Sequence, residues 1–461
     1  MLDRLFHVRA RGSTIRTEII GGVTTFVAMA YIIVVNPAIL SAAGIPPGPS
    51  TVATILAAVF GTLLMALYAN RPIAVAPYMG ENAFIAFSLS TMMVLGQPIT
   101  WQQRLGTVFV SGVAFAVLSV LRLRTRLANA ISPSLKHSFA VGIGLFLMLI
   151  GLYETGIVTS FVQGMPVAAL QQDDGFLRAP DVPLKIGKLD DPPVLLAIGG
   201  FAMMMVLISR RVPGAILIGM VITGVAGYWL GLGTKPGAVA ALPWAEQYDL
   251  GQIAFKLDVR SVLQVAFLPI LLTLFLVSFL DTLGTLVGLG AAGGMLDEQG
   301  NFPDVERPML VDALSCTFSA LVGTSTSGAF IESATGIREG ARTGLASLAT
   351  AVLFAACLFF IPLVQPLQDM KYAYGPALIA VGVLMLEPVT KIDFHDFTET
   401  VPAVVTIALM AFTYNVANGL TAGLVLHPLM KAATARWREV HLGGIILAVL
   451  CLVYYVYGRP H

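Results

Sequence analysis

Long runs of apolar residues recur from one end of the chain to the other, separated by short polar stretches. A helix needs roughly 20 apolar residues to cross a bilayer, and many of these runs approach or exceed that length. Lipid offers no hydrogen bonds to the backbone, which favours helices, whereas a β-barrel would show short alternating segments. The pattern predicts spans at 19–41, 52–70, 72–95, 106–121, 138–155, 194–209, 214–232, 262–290, 309–323, 326–338, 343–364, 376–390, 400–413 and 416–431. A further apolar run at 443–458 fits either an extra span or a helix on the surface.

Three stretches of the first half resemble stretches of the second half. The fifth segment matches the twelfth, the seventh matches the fourteenth, and the third matches the tenth, where NAFIAFSLS (82–90) resembles GAFIESATG (328–336). The offset is seven segments each time, and an odd number of spans per half places the halves in opposite orientations. We therefore predict two inverted repeats of seven helices, the architecture of many secondary transporters.

The third and tenth segments are poor continuous helices. The third contains a proline and a glycine in VAPYMGEN, and the tenth contains GTSTSGAF, which is rich in residues that disfavour a helix interior. We expect a short extended stretch in each, leading into a half-helix. Broken helices at matching positions of two inverted halves point to a transport site, with the half-helix N-termini meeting near the midplane.

Acidic residues within the spans are the candidate site residues, because a charge at bilayer depth is costly and is commonly functional. Glu332 lies near the start of the second half-helix and Asn82 near the start of the first. Asp281 lies in the eighth segment, and Ser278 and Thr285 share its helical face. Gly284 and Gly288 form a pair of small residues suited to close helix packing.

The composition supports a membrane protein and excludes other classes. The chain of 461 residues is 57% hydrophobic and 11% charged, where a soluble domain carries about 25% charged residues, and its mean hydropathy is +0.83. A net charge of +1 does not indicate a nucleic-acid partner. No metal-ligand cluster, phosphate loop or nucleophile–base arrangement is evident, so we predict neither an enzyme nor a bound metal or cofactor.

Basic residues predict the orientation of the chain. With the N-terminus in the cytoplasm, all basic clusters fall on the cytoplasmic side, as expected from the positive-inside rule. The loops at 156–193 and 233–261 then lie outside. We therefore predict a multi-pass protein of the inner (plasma) membrane. The clusters comprise Arg4, Arg9, Arg11 and Arg16; Arg122, Arg124, Arg126 and Lys136; Arg210 and Arg211; Arg338 and Arg342; and Lys431, Arg436 and Arg438.

The chain resembles the nucleobase:cation symporter group (the xanthine/uracil permease superfamily), in its hypoxanthine/guanine/adenine permease branch. The stretches that carry the resemblance follow each other along nearly the whole chain: TEIIGGVTTFVAMAYIIVVNPAIL (17–40), MGENAF (79–84), SLKHSFAVGIGLF (134–146), DTLGTLVG (281–288), GTSTSGAFIESATGIREGARTGL (323–345) and YAYGPALIAVGVLM (372–385).

The resemblance implies fourteen spans divided into a core domain and a gate domain, and proton-coupled uptake of purine bases. The core would comprise 1–125 and 262–364, the gate 126–232 and 372–431, with 443–458 as an additional C-terminal segment. The family's binding positions correspond to Asn82, Asp281 and Glu332, of which the two acids would couple the proton. Phe84, Ser278 and Ser333 complete the predicted substrate site. A homodimer is compatible with this resemblance.

The chain departs from this branch at one position. The branch usually carries a second acid three residues before the Asp-Thr of the eighth segment, and here that residue is Ser278. We expect the Ser278 hydroxyl to donate a hydrogen bond to Asp281 or to the base.

A nucleobase suits the predicted side chains. A carboxylate accepts hydrogen bonds from two adjacent N–H donors, an amide both donates and accepts, and an aromatic ring can cover the flat face. The competing interpretation is a channel or anion transporter on the same scaffold. An anion site would favour Arg, Lys or Ser, and the acids Asp281 and Glu332 count against it.

Overall fold

The computed structural model describes residues 2–121, 130–160, 184–296, 302 and 304–457. The predicted basic cluster at 122–126 and the predicted core–gate boundary at 125/126 lie outside the described residues. Within the described residues the regular elements are mostly helices, with three two-stranded antiparallel sheets of two or three residues per strand.

The first half of the chain begins with a short helix and then follows the predicted segments closely. Its helices are α1 (Leu2–Phe6), α2 (Ile15–Met29), α3 (Ile32–Ser41), α4 (Pro47–Leu64), α5 (Met79–Ala86), α6 (Trp101–Val120), α7 (Pro133–Glu154), α8 (Pro192–Ser209) and α9 (Ala215–Trp229). Its strands are β1 (Val75–Pro77), β2 (Met93–Val94), β3 (Gln97–Pro98), β4 (Val158–Ser160) and β5 (Leu184–Ile186).

The second half repeats the arrangement. Its helices are α10 (Val259–Val262), α11 (Leu268–Ala292), α12 (Glu306–Val322), α13 (Ser333–Arg338), α14 (Gly344–Cys357), α15 (Ile361–Asp369), α16 (Lys371–Leu384), α17 (Phe397–Phe412), α18 (Val416–Ala433) and α19 (Leu442–Tyr457). Its strand is β6 (Ser327–Ala329). Helix α19 covers the last apolar run and packs against α18 and α11.

Each of the fourteen predicted segments contains a helix of the structure. By length and composition, seven helices of the described residues can cross a membrane, or eight if the bent pair α14–α15 counts as one span. The chain is therefore a multi-pass α-helical membrane protein, and the full number of fourteen spans stays a prediction.

The predicted break in segments three and ten is present. Strand β1 leads into the half-helix α5, and strand β6 leads through a turn into the half-helix α13. The two strands pair antiparallel, with Ala76 opposite Gly328, although about 250 residues separate them in sequence. The two broken segments, one from each repeat, therefore meet at a single place in the fold, which we call the strand crossing.

The residue-by-residue match between 82–90 and 328–336 is wrong. Gly328 lies in a strand, whereas Asn82 lies in a helix, and the equivalent strands begin at Val75 and Ser327. Each half carries a glutamate near the start of its half-helix: Glu81, six residues after Val75, is the third residue of α5, and Glu332, five residues after Ser327, directly precedes α13. Both broken segments contain short runs of small and aromatic residues. Such runs resemble each other in more than one register, which is why 82–90 matches 328–336 in sequence but not in structure.

The helices pack in two groups. In one, α2, α3, α4 and α6 pack among α11, α12, α13 and α14, and in the other, α7, α8 and α9 pack among α16, α17 and α18. The strand crossing lies in the first group, and α5 and α11 also contact α7 of the second group. The division of the chain into a core and a gate domain stays a prediction.

Candidate functional site

Tyr78 packs directly against the backbone of strand β6, which explains why residue 328 is a glycine. A Cβ atom on Gly328 would overlap the Tyr78 hydroxyl oxygen, so any side chain there would displace the tyrosine. The Tyr78 ring runs nearly parallel to that of Phe330, with 6.4 Å between the centroids and 9° between the planes. The strand crossing therefore carries a stacked aromatic pair with one ring from each repeat.

Glu332 lies directly after the strand crossing, in the turn before α13. The Tyr31 hydroxyl donates a hydrogen bond of 2.7 Å to its Oε1. The side chain is only partly covered by the protein, so the carboxyl combines a fixed position with an accessible surface. This geometry suits a group that binds a ligand.

Asp281 lies in the middle of α11 and is also partly exposed. Its carboxyl interacts electrostatically with that of Glu332, so the two predicted acids share one region of the molecule. Gly284 follows on the same face of the helix and is exposed, and a Cβ atom placed on it would meet no heavy atom within 4 Å. The expected close helix packing at Gly284 is therefore wrong, and the glycine borders open space beside Asp281.

Ser278 contacts an acid, but not the expected one. Its hydroxyl donates a 2.6 Å hydrogen bond to Oε2 of Glu81 on α5, rather than to Asp281. Both side chains are buried. The residue that departs from the family pattern in the second repeat is thus bonded to an acid of the first repeat.

Asn82 is fully buried at the start of α5. Its Nδ2 donates to the backbone oxygen of Asn36 at 3.3 Å, which ties the half-helix to α3. Asn36 in turn donates to Thr54 at 2.7 Å and to Thr324 at 2.9 Å. The amide of Asn82 is thereby oriented, and its Oδ1 makes no hydrogen bond.

Two further predicted residues have supporting positions. Ser333 Oγ accepts a 3.0 Å hydrogen bond from the backbone N–H of Ala74, which joins α13 to the residue preceding β1. Phe84 is 1% exposed within the apolar core. Neither position tests the predicted contact with substrate, and both explain how the strand crossing is held together.

Asp312 belongs to this site but was not predicted. Its Oδ2 accepts hydrogen bonds from the backbone N–H of Ala329 at 3.0 Å and from the Tyr78 hydroxyl at 3.3 Å. It therefore links α12 to both broken segments. The sequence does mark Asp312 as a candidate, because it is an acid inside the predicted span 309–323. Its partners cannot be read from the sequence, because they lie in other segments.

Arg104 was not predicted either. It is buried on α6 and donates to the backbone oxygens of Ile85 and Ala86, at 3.0 and 3.2 Å. A cation at the C-terminal end of a helix is favourable, because unpaired carbonyl groups point toward it. Arg104 therefore anchors the end of α5 that lies away from the strand crossing.

Unpartnered polar atoms concentrate at the strand crossing. Buried polar groups are almost always hydrogen-bonded, so each exception needs an explanation. Of the nine buried side-chain N and O atoms without a hydrogen bond among the described residues, four lie here. They are Glu81 Oε1, Asn82 Oδ1, Asp312 Oδ1 and Thr326 Oγ1.

Gly284 provides a test of the open space beside Asp281. We expect Gly284→Leu to reduce transport to near background, because the new side chain would project into that space. The change should not unfold the helix, since leucine has a higher helix propensity than glycine by roughly 0.8–1 kcal/mol. Transport in cells or vesicles and the amount of folded protein should be measured together.

Gly199 is a matched control for this experiment. It is also helical and exposed, and a Cβ atom there likewise meets nothing within 4 Å, but it lies on α8, in the other group of helices. Gly199→Leu should transport like the wild type. Equal transport by the two variants would contradict a functional role for the space at Gly284.

The fold is shared with known transporters. The transmembrane domain of a cyanobacterial bicarbonate transporter, BicA, has a TM-score of 0.62 at 16% identity, covering 88% of this chain and 97% of that domain. The murine anion transporter Slc26a9 has a TM-score of 0.55 at 13% identity, over 91% of this chain and 68% of the other. At these identities the likeness shows the fold alone, and it confirms the predicted inverted-repeat architecture.

Sequence comparisons give the family. A sequence model described as a permease family, Xan_ur_permease, matches residues 16–421. The adenine permease AdeQ of Escherichia coli is 36% identical over 97% of this chain and 95% of its own length. The guanine/hypoxanthine permease PbuO of Bacillus subtilis is also 36% identical, over 97% and 99%. The chain therefore belongs to this permease family, within the hypoxanthine/guanine/adenine branch that its motifs indicate, and is a transporter rather than an enzyme.

Proposed function

We propose that this permease takes up nucleobases, purines above all, by proton symport with alternating access across the plasma membrane, with its N-terminus in the cytoplasm. The names of the relatives AdeQ and PbuO support a purine substrate. The observation that carries the proposal is the strand crossing. It brings the two broken segments together beside the acids Glu332 and Asp281, which are partly exposed and interact with each other.

Glu332 is the principal anchor of the base in this proposal. Tyr31 holds one of its oxygens at 2.7 Å, and the carboxyl remains partly exposed. A carboxylate accepts from two adjacent N–H groups of a purine edge. Asn82 contributes an oriented amide, and the Tyr78–Phe330 pair contributes aromatic surface for the face of the base.

The electrostatic interaction between Asp281 and Glu332 supports proton coupling. Two carboxyl groups at close quarters repel each other when both are charged, and a proton on one of them removes the repulsion. It also lowers the cost of moving the site across the low-dielectric membrane. Proton binding and movement of the loaded carrier would then favour each other, which allows a proton gradient to drive uptake.

Anion transport is the second candidate, because the solved structures of similar fold include a bicarbonate and an anion transporter. The site does not favour it. The groups that converge at the strand crossing are the carboxyls of Glu81, Asp281, Asp312 and Glu332, and an anion would be repelled by them when they are charged.

Reconstituted transport tests the proposal. Purified protein in liposomes should accumulate radiolabelled hypoxanthine, guanine or adenine when the outside is more acidic than the inside. Accumulation should collapse when a proton ionophore is added, because the driving force is then removed. Uracil, xanthine and bicarbonate complete the panel of substrates.

Sodium gradients at equal pH on the two sides provide the control. Uptake driven by sodium and indifferent to pH would contradict proton symport while leaving nucleobase transport in place. Uptake of bicarbonate without uptake of any base would contradict the nucleobase proposal and favour the anion pathway.

A further inference from the structure

Glu81 is a buried acid that the proposed function leaves without a role. It lies in the first turn of α5 and is 1% exposed. Its Oε2 accepts a 2.6 Å hydrogen bond from Ser278, whereas its Oε1 has no hydrogen-bond partner. Burial of a carboxyl oxygen without a donor is costly, so a position of this kind favours a ligand that donates to it.

The surroundings of Glu81 place it in the wall of the same site. Its carboxyl interacts electrostatically with Asp281 on α11 and, more weakly, with Asp312 on α12. The Thr326 hydroxyl, at the start of the second broken segment, is buried beside it and interacts with the same carboxyl. The unpartnered Oδ1 of Asn82 belongs to the next residue.

We propose that Glu81 is a third substrate-binding carboxyl, oriented by Ser278, that accepts hydrogen bonds from the N–H-rich edge of a 6-oxopurine of the guanine type. This inference rests on the proposed function and adds the specificity of the same site. Glu81 lies in the first turn of the first half-helix and Glu332 directly precedes the second, so the base would be held by a glutamate from each broken segment.

The preference for guanine follows from the kind of atoms left unpartnered. Three of the four at the strand crossing, Glu81 Oε1, Asn82 Oδ1 and Asp312 Oδ1, are oxygens of carboxyl or amide groups that accept hydrogen bonds. A ligand that satisfies them must donate. Guanine presents an amide N–H beside an exocyclic amine, hypoxanthine presents the N–H without the amine, and adenine presents an acceptor nitrogen beside its amine. An acceptor facing an acceptor would leave both unpaired, which sites of this kind reject strongly.

Binding of three bases to Glu81→Gln tests this role. We expect guanine affinity to fall about tenfold to a hundredfold, the loss of one hydrogen bond to a charged group, and adenine affinity to change by less than about threefold. Affinity should be measured by calorimetry or by ligand-induced thermal shift on purified protein. The melting temperature without base reports any structural damage separately.

The second test transfers the carboxyl from position 81 to its hydrogen-bond partner at position 278. Ser278→Asp alone places two carboxyls in contact and should weaken guanine binding, because they repel. The double variant Glu81→Gln/Ser278→Asp again has one carboxyl, and the new amide can donate to it, so the bond is re-formed with its direction reversed. We expect the double variant to bind guanine at least about tenfold more tightly than Glu81→Gln.

The outcomes separate this inference from the proposed function. If wild-type protein binds no nucleobase, the proposed function fails and this inference fails with it. If the wild type binds purines but Glu81→Gln binds guanine as well as wild type does, or loses all three bases equally, only the role of Glu81 is overturned. A double variant no better than Glu81→Gln, with an unchanged melting temperature, would also overturn it.

Discussion

Glu332→Gln is expected to nearly abolish base binding while the protein still reaches the membrane and folds. Glutamine retains the shape and can still accept the 2.7 Å hydrogen bond from Tyr31. It loses the charge and one of the two acceptor oxygens that bind adjacent N–H donors. Each hydrogen bond to a charged group contributes about 1.5–3 kcal/mol, so the loss of a paired contact predicts a fall in affinity of about a hundredfold or more.

Two variants give this experiment its controls. Glu387→Gln makes the same chemical change at an exposed glutamate near the end of α16 and should bind bases normally. Tyr31→Phe keeps the Glu332 carboxyl but removes its hydrogen-bond donor, which should weaken binding by about 0.5–1.5 kcal/mol. Wild-type uptake by Glu332→Gln would show that the base is anchored elsewhere.

Asp281→Asn should abolish concentrative uptake and retain exchange of base across the membrane. Asparagine is nearly isosteric but cannot take up a proton, so a carrier that depends on Asp281 for coupling would be uncoupled. Liposomes loaded with unlabelled base measure exchange, and liposomes under a proton gradient measure accumulation. The distinction matters because a binding defect would remove both activities.

Ser278→Ala is the comparison for Asp281→Asn, since it changes the same helix one turn away. Its hydroxyl bonds to Glu81 rather than to Asp281, so the alanine variant should remain proton-coupled. We expect a loss of about 0.5–1.5 kcal/mol in affinity, equivalent to one hydrogen bond. If Asp281→Asn accumulates base normally and Ser278→Ala is inactive, the two roles are assigned the wrong way round.

The positions of the helices and of the two breaks were predictable from the sequence. Apolar length decides where a chain can cross lipid, and the cost of unpaired backbone forces those stretches to be helical. Residues that disfavour a helix marked the places where strands β1 and β6 interrupt the third and tenth segments. The exact register between those segments was not predictable, because short stretches of small and aromatic residues align in more than one way.

The candidate acids were also predictable from the sequence, because an acidic residue inside an apolar segment can be identified without knowledge of its contacts. Asp281 and Glu332 were identified in this way, and they lie close enough to interact. Asp312 carries the same signal within its span, and its partners Tyr78 and Ala329 lie in other segments. What the sequence alone determined is therefore the class of protein, the two broken segments that meet, and the pool of residues from which a site can be built.

Only the tertiary structure decided which of these residues face each other. Tyr31 donates a hydrogen bond to Glu332, 301 positions away in the sequence, and Ser278 donates one to Glu81, 197 positions away. The polar residues of α11 mark one face of the helix, but the sequence does not show how that face is rotated relative to its neighbours. Packing against α5, α6 and α13 sets that rotation, and with it the partner of Ser278 and the open side of Asp281.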